Sequence, residues 1–118
     1  MQQTNEIKLE TQGSVTIMDI KGDITAFSEP FLNESYQKAN DQGAGKILLK
    51  IDNDSYINSG GIAVLIQILA QTKKNSQIIG ITGISEHFKK IFHMVGITRF
   101  AKIHASLEEA MSEMAAES

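Results

Sequence analysis

The sequence contains no cysteine and a single proline, Pro30. The first absence removes disulfides, thiolate nucleophiles and sulfur-ligated metal centres from what this chain can do. With one proline, no stretch reads as a proline-rich linker, and no repeat or low-complexity segment stands out. Basic charge is not in excess either. The 11 Lys and Arg stand against 14 Asp and Glu, a formal net charge of −3. That balance gives no basic surface of the kind nucleic-acid binding needs. No apolar run approaches membrane-spanning length. Met1–Glu6 lacks the basic and apolar blocks of a signal peptide, so the expected setting is the cytoplasm.

What is present reads as one globular domain over residues 1–118, with 42% hydrophobic and 21% charged residues. Glu6–Glu10 alternates at period two and predicts a half-exposed strand. Val15, Ile17 and Ile20 mark a second strand ending near Gly22 and Asp23, close enough for a hairpin. Ser28 is placed to cap a helix with Pro30 in its first turn, where a missing N–H costs nothing. Phe31, Leu32, Tyr36 and Ala39 would face the core, and Asp41-Gln42-Gly43 ends that helix. Lys46–Ile51 predicts a buried strand, Gly60–Lys73 an apolar helix, and Gln77–Ile81 the next strand.

Ser85 opens a helix with Phe88, Ile91, Phe92 and Val95 at core spacing, stopped by Gly96. A short strand near Lys102–His104 follows. Ser106 and Glu109 have capping-box spacing for a last helix that turns Leu107, Ala110, Met111 and Met114 inward. The order ββαβαβαβα predicts an α/β fold, a mostly parallel sheet with helices packed against it. Ligands and partners of such sheets often meet the loops at the carboxyl ends of the strands.

Ser59 lies at such an end, within Ser55-Tyr56-Ile57-Asn58-Ser59-Gly60-Gly61-Ile62, between a strand and an apolar helix. A helix N-terminus carries free N–H groups and partial positive charge, so it accommodates a phosphate. A serine there can cap the helix, act as a nucleophile or carry a phosphoryl group. In the helix that follows, Ile62, Leu65, Ile66 and Leu69 form one stripe. The opposite face reads Gly60, Ala63, Val64, Gln67, Ala70, Gln71 and Lys74, small and nearly uncharged until its far end. Such a face suits docking, or burial on two sides by the fold itself.

Two enzymatic patterns bear on the same loop. Asn58-Ser59-Gly60-Gly61 partly matches the nucleophile elbow G-x-S-x-G, with His87, His93 and His104 downstream as bases. Position 57 is Ile where the elbow has Gly, and the chain is short for a hydrolase. Asp52-Asn53-Asp54 resembles the loop of phosphotransferases that form an aspartyl-phosphate. That chemistry needs Mg²⁺ and a lysine, for which Lys73, Lys74, Lys89 and Lys90 are available. The plain alternative has Asp52 or Asp54 accepting from nearby N–H groups. No cofactor or metal is expected.

Ile57-Asn58-Ser59-x-Gly61-Ile62 resembles the phosphorylation loop of STAS domains, the anti-sigma factor antagonists. Gly83-Ile84-Ser85, Phe88, Ile91-Phe92, Val95-Gly96-Ile97 and Phe100 resemble that family's third helix and following turn. Ser106–Ala110 is similar to its last helix start, and Gly22-Asp23-Ile24 to its early turn. The match is collinear from about residue 15 to 115.

The resemblance implies a STAS-like single domain acting as a non-enzymatic switch. A serine kinase of the anti-sigma type would phosphorylate Ser59 and a PP2C-like phosphatase would reverse it. The unphosphorylated form would bind that kinase or anti-sigma factor and free its client. The partner surface would comprise Asn58, Gly60, Gly61, Ala63, Val64 and Gln67, with Asp23 at its rim, on a monomer or weak dimer. Many family members have Asp before the serine and Ser after it. Here Asn58 and Gly60 stand there, which leaves Ser59 as the only hydroxyl in the motif. A scaffold role with Ser59 never phosphorylated is the alternative within the family.

Overall fold

The computed structural model describes residues 5–117. Met1–Thr4, part of the stretch read for a leader, and Ser118 lie outside them. The elements are β1 (Glu6–Gln12), β2 (Val15–Lys21), α1 (Glu29–Asp41), β3 (Lys46–Ile51) and α2 (Ser59–Lys74). They continue with β4 (Ile78–Thr82), α3 (Glu86–Met94), β5 (Lys102–His104) and α4 (Leu107–Ala116). Short 3-10 turns at Ala26–Ser28 and Ile97–Arg99 precede α1 and β5. The predicted order therefore holds, with ends shifted by a residue or so.

The sheet has five strands in the order β1-β2-β3-β4-β5. β1 and β2 form the antiparallel hairpin, and every later pairing is parallel. Right-handed crossovers that step one strand at a time in one direction place their helices on one face. Strand alternation agrees. Met18, Ile20, Ile47, Leu49, Ile51, Ile79 and Ile81 form one core with buried residues of α1, α2 and α3. Val15, Ile17 and Leu48 point the other way and pack on Ala110 and Met114 of α4. Each such buried aliphatic side chain is worth about 1.5–3 kcal/mol.

Beside the apolar contacts of Ala110 and Met114, the α4 face holds a polar cluster. Gly80 of β4 leaves room there, because an added Cβ would lie 2.9 Å from His104 Nε2 and 3.0 Å from Met114 Sδ. His104, at the end of β5, is buried, with Nδ1 2.6 Å from Glu113 Oε1. Lys102 Nζ donates to Glu113 Oε2 at 3.1 Å. Lys102 and then His104 hold the Glu113 carboxyl below its ordinary range. A carboxylate shifted down on folding stabilises the protein above its unfolded pKa of about 4.3. It loses that contribution as pH falls through the lower folded value. Glu113→Gln is expected to be less stable at neutral pH and to lose less on acidification below about pH 4. Urea midpoints measured from neutral to acidic pH check this; parallel curves for the two proteins would contradict it.

Three details depart from the sequence reading. Ser28 does not cap α1 through its side chain. Its Oγ instead accepts from Thr25 N at 3.0 Å and donates to Asp23 O at 3.3 Å, bracing the turn before the helix. Phe31 is only half-buried, while Leu32, Tyr36 and Ala39 are in the core as expected. Val95 lies beyond the last turn of α3 and is 45% exposed, because Gly96 takes the left-handed φ of +85° that ends the helix.

Candidate functional site

Two loops meet at the carboxyl ends of β2 and β3. Ile24 N donates to Tyr56 O at 2.9 Å, and Asn58 N donates to Ile24 O at 3.2 Å. Those bonds make a one-residue parallel bridge between Ile24 and Ile57, both buried. Asp23 Oδ1 accepts from Tyr56 N at 2.9 Å, and Ser55 Oγ donates to Gly22 O at 3.0 Å. Asp23 is thus a brace between the loops, with its residue surface exposed at their rim. The bridge continues β2 and β3 past their formal ends and carries the chain directly into α2.

Asn58 caps α2. Its backbone is extended, and its Oδ1 accepts from Gly61 N at 2.9 Å. This is the N-cap arrangement that satisfies one orphan donor of the first turn. The first backbone bond of the helix is Ile62 N to Asn58 O at 2.9 Å. The N–H groups of Ser59 and Gly60 precede it and face the helix end. Ser59 is therefore the first helical residue, exposed, and its hydroxyl bonds to no described residue. The capping role open to Ser59 in the sequence belongs to its neighbour.

The two glycines set how closely this helix end approaches the other loop. A Cβ on Gly61 would lie 2.0 Å from Ile24 O, and one on Gly60 would lie 2.9 Å from Ala26 Cβ. Gly61 is buried, so it shapes the site without presenting a surface. The same close approach turns the face of α2. Gly61, Val64, Leu65, Ile68, Leu69 and Thr72 are the buried positions, whereas Ile62 and Ile66 are only partly covered. Val64, expected on the docking face, is 4% exposed and belongs to the core. Ala63, Gln67, Ala70, Gln71 and Lys74 form the exposed face as expected.

Two aromatic side chains flank this end of α2, and the sequence reading passed over both. Phe27, in the turn whose neighbour Ala26 lies against Gly60, is 72% exposed. Tyr56 is 60% exposed, with its ring 6.1 Å from Phe88 in an edge-on arrangement. The signal available in sequence was an aromatic in each of two turn segments beside the serine.

Beneath the loops lies a charged group. Lys21 Nζ donates to Asp52 Oδ1 at 3.1 Å, and Asp19 sits 3.7 Å from Lys21 and 3.6 Å from Lys50. The hydrogen bond to Asp52, then the charge of Asp19, raises the Lys21 pKa. Asp52 is thus partnered by a lysine where a backbone N–H was expected, and by Lys21, which was not among the lysines considered for phosphotransfer. Among the described residues, no group of three or more His, Asp or Glu could hold a metal ion. Ser59 does not have an elbow's strained geometry: among the described residues, the one non-glycine with positive φ is Ser76. His87 and His93 are exposed on α3, and His104 is held by Glu113.

The match to known proteins is collinear with this fold. The model of the family described as the STAS domain matches residues 6–110. The chain belongs to the STAS domain family. Among its relatives is an anti-sigma-B factor antagonist of Staphylococcus aureus, 22% identical over 102 residues, covering 86% of this chain and 94% of the relative. Another, the anti-sigma-B factor antagonist of Bacillus subtilis, is 29% identical over 92 residues, covering 77% and 83%.

Solved structures of low identity share the STAS fold. An anti-sigma factor antagonist from Mycobacterium paratuberculosis superposes with a TM-score of 0.79 at 14% identity, covering 94% of both chains. The anti-sigma factor antagonist SpoIIAA in its unphosphorylated form gives 0.70 at 15% identity, covering 95% of this chain and 100% of that one. No helix among the described residues of this STAS chain is long and apolar enough to cross a membrane.

Proposed function

We propose that this STAS chain is a phosphorylation-controlled binding switch with Ser59 as its acceptor. The observation that carries the reading is the division of labour at the start of α2. Asn58 takes the capping bond, and Ser59 keeps an exposed hydroxyl at the first helical position. The names of the relatives, antagonists of anti-sigma factors, support the same reading.

In its unphosphorylated form the chain binds an anti-sigma factor that is also a serine kinase, and thereby frees that factor's client. The contact surface is Ser59, Gly60, Ala63 and Gln67 along α2, with Phe27 and Tyr56 as aromatic anchors. Asp23 and Asn58 hold the loops that present it. The kinase transfers the γ-phosphoryl of ATP to Ser59 Oγ: a P–O bond to serine forms, the bond to ADP breaks, and the hydroxyl proton leaves to a base of the kinase. A phosphatase of the PP2C type hydrolyses the ester. The chain itself works in the cytoplasm as a monomer or weak dimer, without a cofactor.

A phosphate adds about −1.5 to −2 charges. The fold accommodates them because the Ser59 and Gly60 N–H groups and the helix dipole lie at hand. The docking face does not, since Gly60, Ala63 and Gln67 offer the phosphate no positive charge beside the serine. Incubation with the kinase and Mg-ATP is expected to label the wild-type chain on Ser59 and to leave Ser59→Ala unlabelled. Label on Ser55, Thr25 or any other hydroxyl in the variant would overturn the assignment.

A further inference from the structure

Away from the Ser59 loops, two large apolar side chains stay in solvent at the end of α3: Met94, 81% exposed, and Val95. Met94 lines an open groove of about 620 Å³ between α3 and β5. Met94, Ile103 and Ala105 supply its apolar lining, and Lys89, Lys90 and His93 its polar lining. Among the described residues, β5 is the last strand of the sheet and pairs with β4 alone. Its outer backbone groups are an unpaired edge, which an extended chain can extend by one strand.

The groove is lined by Lys89 and Lys90 and by no Asp or Glu. Residues 87–107 include Lys89, Lys90, Arg99 and Lys102 and no Asp or Glu, in a chain of formal net charge −3. Lys89 is paired with Glu86 at 3.0 Å and Lys102 with Glu113 at 3.1 Å, while Lys90 is exposed with no ion-pair partner among the described residues. An apolar groove with a basic margin, running beside a free strand edge, is complementary to an extended segment that alternates apolar and acidic residues.

We propose that this groove docks an extended acidic segment of a partner protein, added to β5 as a sixth strand. Its apolar side chains lie against Met94 and Ile103, and a carboxylate meets Lys90. The groove is lined by α3, β5 and the segments around them, and by none of Asp23, Tyr56, Asn58, Ser59, Gly60, Ala63 or Gln67.

The test titrates the full chain with a labelled peptide alternating leucine and glutamate, followed by amide NMR and fluorescence anisotropy. Shifts are expected on Lys89–Met94 and Thr98–Ala105, with affinity falling roughly tenfold in Met94→Glu and in Lys90→Glu. Both positions are exposed, and unchanged melting of the variants confirms intact folding. A peptide with its ladder-forming nitrogens methylated is expected not to bind. Equal binding by the methylated peptide, by a leucine–lysine peptide or to the two variants overturns the proposal, as does no binding at all. Sedimentation that shows self-association abolished by Met94→Glu would assign the groove to a second copy. Binding of anionic phospholipid vesicles lost in the same variant, without peptide binding, would assign it to a membrane. Either result would also overturn the proposal.

Discussion

Gly61→Ala is expected to destabilise the protein by about 3 kcal/mol and to lower its melting temperature by about 10 °C. Helix propensity alone predicts the opposite sign, since alanine inside a helix is favoured over glycine by about 1 kcal/mol. Steric contact decides. The new Cβ would lie 2.0 Å from Ile24 O and 2.5 Å from Ile24 C, both backbone atoms. That backbone cannot step aside cheaply, because Ile24 N and O are bonded to Tyr56 and Asn58. The start of α2 must lift instead, and the Asn58 cap and the Ile24–Ile57 bridge go with it. Gly60→Ala is expected to cost less, since its new Cβ would lie 2.9 Å from Ala26 Cβ and 3.0 Å from Ala26 N, contacts that a small shift of an exposed turn relieves. Thermal and urea unfolding of both variants check the order. A Gly61→Ala protein as stable as wild type would show that the loops are not braced as described.

Ser59→Asp is expected to weaken binding to the proposed anti-sigma kinase about 100-fold, a loss of about 2.7 kcal/mol, while leaving melting nearly unchanged. The two halves of that prediction have separate causes. A carboxylate in the first turn of a helix is favoured by the dipole by about 0.3–1 kcal/mol, so the fold tolerates it. Across an interface the same charge must be desolvated against an apolar face or meet partner acids, which costs several kcal/mol. Ser59→Ala is expected to bind like wild type and to escape phosphorylation. Calorimetric titration and melting curves on the same three proteins separate the effects. A collapsed Ser59→Asp fold would replace interface blocking with structural disruption, and undiminished binding would remove the switch.

Much of this was legible in the chain because the strong signals are periodic or terminal. Alternation located the strands, and Ser85, Ser106 and Gly96 marked helix ends where they occur. The position of Ser59 at a strand-to-helix junction came from the same reading. The face of α2 did not, because Ile62, Val64, Leu65, Ile66, Ile68 and Leu69 leave little polar contrast to orient the helix. Its rotation is decided by Gly61 lying on Ile24, a contact between segments far apart in sequence. Hence Val64 was placed outward and is buried. Phe27 and Tyr56 were missed for a related reason: an aromatic in a turn has no period, and only the meeting of the loops puts both beside Ser59. His104 and Glu113 are separated by a helix start, and their pairing depends on the gap at Gly80.

The most direct measurement is intact and peptide mass spectrometry of this chain isolated from its own cells, beside a Ser59→Ala strain. The switch predicts a phosphate on Ser59, varying with growth condition and absent from the variant. An unmodified Ser59 under every condition would contradict it.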